Sequence, residues 1–224
     1  KASITLDAKW GANSRATVDY DRITDPAQYY ELYYKALYNY NVRDKGMSAY
    51  DAHVTANNTI GMNGQDGGLG YVVYNVPKGE YLIGTNGRIN PNATLGNRVY
   101  YDGQFFTLAP DNWVDEAFRT SLRQEYNLNI SGGTQKMSYY ASLGYLKNEG
   151  VVRHSDFDRY TARLKSDYQA KKWLKVGTNM NFTHTKQNNV GSGGLSVFDV
   201  TTRYAPIYPV YMRDGNGNIM MDEH

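Results

Sequence analysis

Cysteine is absent from this chain of 224 residues, so composition leaves its redox compartment open. Long hydrophobic runs are absent too. The mean hydropathy is −0.66, and no run reaches the roughly 18 apolar residues of a transmembrane helix, which excludes helical membrane spans. Transmembrane strands are not excluded, because alternating side chains escape hydropathy windows. Neither sign of charge dominates: the formal net charge is +2, which gives no reason to expect a nucleic-acid partner.

Catalytic and metal-binding patterns are also missing. No ligand spacing relates the four histidines, which are His53, His154, His184 and His224, and no phosphate-loop Lys-Ser or Lys-Thr pair follows the glycine-rich segments. Gly191-Ser192-Gly193 lacks the spacing of a nucleophile elbow. Asp214, Asn216 and Asn218 imitate a calcium loop, but Ile219 stands where that loop needs glycine, so we expect a plain turn. We therefore predict no enzyme activity, no metal and no cofactor.

Four consecutive runs alternate apolar and polar side chains, as β-strands with two unlike faces do. They cover residues 122–131, 137 to about 147, 157–170 and 174–186. Short connections at 131–136 and 170–173 alternate with a longer one at 148–156, and the first is predicted to be a tight turn because glycine reaches positive φ at little cost. Short turns on one side and long loops on the other are typical of an outer-membrane β-barrel, and each run is long enough to cross a bilayer as a tilted strand.

Tyrosine is the most informative residue type. The chain has 22 tyrosines, and aromatic side chains gather at the two rims of membrane barrels, where the ring lies among headgroups and the hydroxyl reaches water. A tyrosine-rich soluble β-sandwich has a similar composition. The residues alone leave both architectures open.

The remaining segments are predicted to form a strand, helices and turns. Residues 1–10 alternate as a further strand. A helix capped by Asp25 begins at Pro26 and is mostly tyrosine and apolar residues, which predicts packing on most of its sides. A second helix runs over 48–58 with Ser48 as its cap, and a Gly- and Asn-rich connection follows over 61–110, with a short strand at 71–76.

The segments on either side of the four runs complete the prediction. Asp111 is expected to cap a brief helix that leads into the first run. A helix over 195–204, stopped by Pro206, then precedes a strand at 207–212 and a turn at 214–218. The chain starts inside a strand, without an initiator Met or a signal peptide, and stops without a closing strand. We interpret it as a piece of a longer chain.

Several motifs around the four runs resemble one family. They are Asp111-Asn112-Trp113, Phe118-Arg119-Thr120, the run from Tyr126 to Thr134, Tyr139-Tyr140-Ala141-Ser142-Leu143-Gly144-Tyr145, Glu149-Gly150-Val151-Val152 and the run from Ser155 to Arg163. In combination they resemble the SusC/RagA-like TonB-dependent outer-membrane transporters. The resemblance covers about residues 111–186, and residues 1–36 and 204–215 are similar to the flanking segments of that family.

The resemblance implies a plugged barrel of about 22 strands that imports glycans or peptides through the outer membrane. A TonB complex would energise it through a Ton box, and a SusD-like surface lipoprotein would cover it. Residues 1–224 would hold about five barrel strands and their extracellular loops. The plug domain, the Ton box and the C-terminal strands would be absent. The turns at 132–133 and 171–172 would be periplasmic.

The resemblance also places the long segments 11–120, 148–156 and 187–224 outside the membrane or partly in the lumen, where loops concentrate ligand contacts. We select the aromatic residues Tyr204, Tyr208 and Tyr211 as candidates for ligand binding. The rival hypothesis is a soluble β-rich surface module that binds carbohydrate through exposed tyrosines. In the importer Leu128, Leu143 and Val176 face lipid, whereas in the module they face a second sheet.

Overall fold

A computed structural model describes residues 2–16, 21–190 and 196–221. The chain divides into two compact units, one from Lys1–Val18 and Ala117–Val197, and the other from Asp19–Glu116 and Phe198–His224. The described strands are β1 (Ala2–Asn13), β2 (Tyr74–Asn75), β3 (Thr94–Leu95), β4 (Asn97–Tyr101), β5 (Gln104–Leu108), β6 (Ser121–Gly133), β7 (Met137–Glu149), β8 (Asp156–Lys171) and β9 (Leu174–Asn188). The described α-helices are α1 (Pro26–Arg43), α2 (Ala49–Ile60), α3 (Trp113–Ala117) and α4 (Val197–Arg203).

The first unit contains an antiparallel sheet of five strands in the order β1-β6-β7-β8-β9. The four predicted strands are confirmed as β6 to β9, each slightly longer than expected. The predicted N-terminal strand is confirmed as β1, and it continues to Asn13, although Lys1 lies outside the described residues. The sheet is open, with β1 and β9 as its edges, so the mainly antiparallel β class is confirmed and closure into a barrel stays a prediction.

The apolar side chains of all five strands lie on one face of the sheet, because the pairing is in register. Leu6 pairs with Leu128, which pairs with Leu143. Leu143 pairs with Ala162, and Ala162 with Phe182. Leu6, Leu143 and Phe182 remain 68%, 58% and 62% exposed. The sheet thus carries a continuous exposed apolar face, with the alternate polar residues on its other side.

The predicted tight connection between β6 and β7 is confirmed, but it is shorter than expected, because Gly132 and Gly133 lie in β6 without positive φ. A Cβ at Gly132 would lie 2.4 Å from the Tyr139 hydroxyl oxygen, and one at Gly133 would lie 2.6 Å from the Met137 carbonyl oxygen. Glycine is needed here for a close approach between β6 and β7. The turn itself is closed by the Thr134 amide, which donates to the Met137 carbonyl at 2.7 Å.

The second unit is built on helices whose ends follow local sequence signals. Asp25 caps α1 by accepting a hydrogen bond from the Ala27 amide at 2.9 Å, and Ser48 caps α2 by accepting one from the Asp51 amide at 3.1 Å, as predicted. The helix predicted at 195–204 is observed as α4, and Leu195 lies outside the described residues. Within residues 2–16, 21–190 and 196–221, no helix combines the length and apolar character needed to cross a membrane.

Helix α1 packs mainly through one side. Its buried residues are Tyr30, Tyr34 and Asn41, whereas Leu32 and Tyr40 are 46% and 51% exposed. The expectation of packing on most sides is therefore wrong. Tyrosine covers apolar neighbours with its ring while its hydroxyl stays hydrated, so a tyrosine-rich helix does not need burial all round.

The core of the second unit joins α1 and α2 to the connection at 61–110, which is not structureless. Tyr30, Val73, Ile83 and Ile207 are all fully buried. The Tyr30 hydroxyl donates to the Tyr71 carbonyl at 2.7 Å and accepts from the Val73 amide at 3.1 Å. The predicted strand at 71–76 is reduced to the two residues of β2, and the hairpin formed by β4 and β5 was not predicted.

Two further predictions near the ends of this unit are wrong. The cap of α3 is Asn112, whose side chain accepts from the Val114 amide at 3.1 Å, because the Asp111 carboxylate is bound elsewhere. Residues 207–212 do not form a strand: Pro209 has no amide donor, and the Val210 amide donates to Asp111 rather than to a neighbouring strand. The predicted turn at 214–218 is confirmed, with the Asp214 amide donating to the Asn218 carbonyl at 2.9 Å.

Candidate functional site

A cleft of about 360 Å³ in the second unit contains the first candidate tyrosine. Tyr204 follows α4, is 45% exposed, and meets Trp113 edge to face with 5.0 Å between ring centroids. Tyr29 of α1 also lines the cleft, and Arg22 and Arg203 bring positive charge to it. The size suits a small organic ligand, and the aromatic surfaces beside cationic groups can both stack on a ligand and orient it.

Local hydrogen bonds hold the walls of this cleft. The Trp113 indole N–H donates to the Tyr208 carbonyl at 2.9 Å, which sets the direction of the indole ring. The Arg22 guanidinium donates to the Thr201 carbonyl near the end of α4. Arg203 lies 3.4 Å from Asp199, one helical turn earlier, and the Arg203 side chain is 72% exposed. The Trp113 ring of the aromatic pair is therefore held in place within the protein, whereas the Arg203 side chain is exposed to solvent.

Tyr208, the second candidate, lies against the core instead. Its hydroxyl donates to the Leu69 carbonyl at 3.1 Å, and its ring packs against Tyr71 with 5.8 Å between centroids. Its polar group and its ring are both engaged inside the unit. Tyr208 therefore has the position of a structural residue. The sequence alone did not distinguish it from the other candidate tyrosines.

Tyr211, the third candidate, borders a different groove of about 270 Å³, which Phe106 and Met212 also line. Its hydroxyl donates to the Glu116 carboxylate at 2.6 Å. The three predicted tyrosines consequently do not converge on one site. Tyr204 alone of the three lines the larger cleft, and its role in ligand binding stays a prediction.

The carboxylate of Asp111 organises the loops beside the cleft. It accepts hydrogen bonds from the backbone amides of Val210 and Tyr211, at 2.8 and 3.1 Å, and pairs with Arg213. Burial raises the pKa of Asp111, but the hydrogen bond from Arg213 and those from the two amides outweigh it, so the pKa lies below its ordinary value. Sequence reasoning missed this contact, because nothing near Asp111 in the chain indicates a partner so distant.

The polar face of the sheet is the second candidate surface. One row across it consists of Asp7, Asn127, Gly144, Thr161 and Thr183, paired in that order. A Cβ at Gly144 would lie 2.4 Å from the Thr161 hydroxyl oxygen and 3.0 Å from the Asn127 amide oxygen. Gly144 therefore leaves space for the Asn127 and Thr161 side chains to lie over β7. The face offers amides, hydroxyls and charges to a polar ligand.

Comparisons with known proteins agree with this architecture. No family model matches the chain. It is 29% identical over 126 residues to TonB-dependent receptor P26 of Formosa agariphila, an alignment that covers 56% of this chain and 12% of that protein. It is 28% identical over 160 residues to TonB-dependent receptor SusC of Bacteroides thetaiotaomicron, covering 69% of this chain and 16% of that one. The chain therefore spans less than a fifth of the length of these curated relatives.

A solved structure shows the same fold over nearly the whole chain. The RagAB peptide importer in its closed-closed state superposes on 98% of this chain and 22% of the other, with a TM-score of 0.56 and 21% identity. At this identity the likeness concerns the fold. These relatives are named as receptors and an importer rather than as enzymes, which is consistent with the prediction of no enzyme activity.

Proposed function

We infer that the chain belongs to the SusC/RagA-like TonB-dependent transporters and forms part of the wall and outer loops of an outer-membrane nutrient importer. The cargo would be oligosaccharides or oligopeptides, which bind and pass without chemical change. Energy would come from a TonB complex through parts of the protein beyond these residues. A SusD-like surface lipoprotein would cover the outer mouth.

The exposed apolar face of the sheet is the observation that carries this proposal. Soluble monomers rarely leave a large continuous apolar surface in water. Here Ile4, Leu143, Val176 and Met180 are 70%, 58%, 55% and 57% exposed. A lipid bilayer would cover such a face, whereas the rival soluble module needs these side chains buried against a second sheet. Their exposure therefore favours the importer.

A row of aromatic side chains crosses this face near the end of the sheet that carries the longer β7–β8 connection. Trp10 donates its indole N–H to the Tyr126 hydroxyl at 2.9 Å. The row continues through Tyr145 to Tyr160, with 6.4 and then 4.9 Å between ring centroids, and His184 follows on β9. Such a row fits the headgroup level of one membrane surface.

Aromatic side chains also lie at the opposite end of the sheet. Tyr168 on β8 is 49% exposed, and Trp173 in the β8–β9 turn is 82% exposed. Tyr160 and Tyr168 stand eight residues apart, which is roughly 26 Å along the strand, or about 20 Å along the membrane normal at a tilt of about 40°. This separation is comparable with an apolar band of about 25 Å between two girdles.

The polar face would then line a watery path for the cargo. In this arrangement the β6–β7 and β8–β9 turns are periplasmic. The alternation of β6 supports one watery face and one lipid face, since Asn127 and Leu128 are neighbours in sequence but stand in the polar and apolar rows respectively.

A pair of substitutions in the intact protein tests the proposal. Leu128→Arg would place a positive charge in lipid near mid-depth, at a cost of about 2–4 kcal/mol, and should block assembly into the outer membrane. Asn127→Arg adds the same side chain to the other face, opposite Asp7, and should assemble normally. Assembly is read from outer-membrane fractions and from heat-modifiable migration in gels. Equal assembly of the two variants would remove the membrane assignment.

A further inference from the structure

The charges on the polar face of the sheet are unevenly compensated. On β6, Glu125 accepts from Arg123 at 2.7 Å and is paired across strands with Lys9. On β8, Asp167 lies 3.5 Å from Lys175 of β9. Each of these two acids therefore has a cation beside it.

Three cations on β8 have no such partner. Arg159, Arg163 and Lys165 are all exposed, and none forms an ion pair with any residue in the described ranges. They share the polar face, with about 13 Å and then about 7 Å between them along the strand at 3.3 Å per residue. Asp7 is on β1, three strands away, which is about 14 Å. We name these three residues the basic column.

The residues that pair with the basic column across the strands are uncharged. Its paired residues are Thr185, Asn181 and Asn179 on β9, and Leu146, Ser142 and Tyr140 on β7. Asp167 lies two residues from Lys165 on the same face, but it is paired with Lys175. The positive potential of the column is therefore not cancelled, and an anion on this face would be attracted from solution. Arginine binds a carboxylate through two parallel hydrogen bonds, while amides and hydroxyls donate to and accept from sugar hydroxyls.

We propose that the basic column binds the carboxylates of an acidic oligosaccharide, so that the importer selects anionic over neutral glycans. This inference rests on the proposed function, because it takes the polar face as the path of the cargo. Arginine and lysine side chains that line a pore favour anions in the same way. Acidic peptides offer the same carboxylates, but the amide and hydroxyl neighbours of the column match the hydroxyls of a sugar better than apolar peptide side chains.

Binding to the intact, purified importer tests this. The probes are a galacturonic acid hexamer, a neutral glucose hexamer and a hexaglutamate peptide, each titrated at low salt. The variant Arg159→Gln/Arg163→Gln/Lys165→Gln should lose at least about 10-fold in affinity for the galacturonate probe and stay within about twofold for the neutral one. High salt should weaken galacturonate binding to the wild type much more than to the variant.

Lysines on the two faces of the sheet supply a matched control. Lys165→Gln should weaken galacturonate binding, and Lys186→Gln, which removes the same charge from the opposite face, should not. Equal binding of the acidic and neutral hexamers by the wild type, or an unchanged triple variant, would overturn the inference. A larger loss for hexaglutamate than for galacturonate would overturn the sugar assignment. An importer that assembles and takes up only neutral glycans would keep the proposed function and remove this inference.

Discussion

Asp111 and Arg213 stand 102 residues apart in the chain and form an ion pair whose side chains are only 11% and 15% exposed. The same carboxylate accepts from the amides of Val210 and Tyr211. One side chain thus joins the segment before α3 to the C-terminal segment. It holds the loops on which Trp113 and Tyr208 meet.

Removal of this carboxylate should loosen the second unit. Asp111→Ala would leave the largely buried Arg213 guanidinium without its counter-ion and two backbone amides without an acceptor, and we expect a loss of about 2–3 kcal/mol. Hydrogen exchange at the Val210 and Tyr211 amides measures the loss as faster local opening. Asp66→Ala, at an exposed aspartate, should change stability by less than about 0.5 kcal/mol. Unchanged exchange at the two amides in Asp111→Ala would contradict the role of the pair.

The same contact should respond to acid. The folded pKa of Asp111 is lowered, so its ionised form stabilises the fold above its ordinary pKa of about 3.9, and this stabilisation is lost as the pH falls through the lowered value. Proteolysis should therefore be slower in the wild type than in Asp111→Asn at pH 5 to 7. The two rates should converge at low pH. A constant ratio of the two rates down to about pH 2 would show that Asp111 does not titrate in this way.

Gly144 should tolerate no side chain while Thr161 keeps its hydroxyl. Gly144→Ala puts a methyl group 2.4 Å from the Thr161 hydroxyl oxygen, and we expect a destabilisation of about 1–3 kcal/mol. Thr161→Ala removes that oxygen, so the double variant should regain most of the loss. Urea unfolding of the intact protein in detergent gives the four values of the cycle. Strict additivity of the two substitutions would rule out the clash as the cause.

Tyr204 and Tyr208 should differ in what their substitution changes. Tyr204→Ala removes a half-exposed ring from the cleft and should weaken binding of whichever hexamer the wild type binds by about 10-fold. The lost edge-to-face contact with Trp113 should cost about 0.5–1.5 kcal/mol of stability. Tyr208→Phe removes the hydrogen bond to the Leu69 carbonyl and should cost about 1 kcal/mol of stability with affinity unchanged. Titration and urea unfolding of both variants separate the roles. A reversed pattern would move the ligand contact to Tyr208.

The sequence was informative wherever its signals were local. The alternation in β6 to β9 predicted both strands and faces, and Asp25 and Ser48 predicted two helix starts. The candidate site was harder to predict from the sequence: only Tyr204 among the three candidate tyrosines lines the cleft of about 360 Å³. Asp111 was assigned to a local cap, although its partners are Arg213 and the amides of Val210 and Tyr211. A short polar side chain before a helix predicts a cap, but a competing distant donor leaves no trace in the neighbouring residues.

By itself the sequence determined the period of each strand and hence which side chains share a face, because successive residues of an extended chain point in opposite directions. Only the tertiary structure decided that β1 lies beside β6 and that Val73 and Ile83 complete a core with α1. It also decided that Arg159, Arg163 and Lys165 form no ion pair with any described residue. These relationships join residues far apart in the chain. They depend on which strands and loops become neighbours when the chain folds and covers its apolar surface. A local sequence pattern does not specify those neighbours.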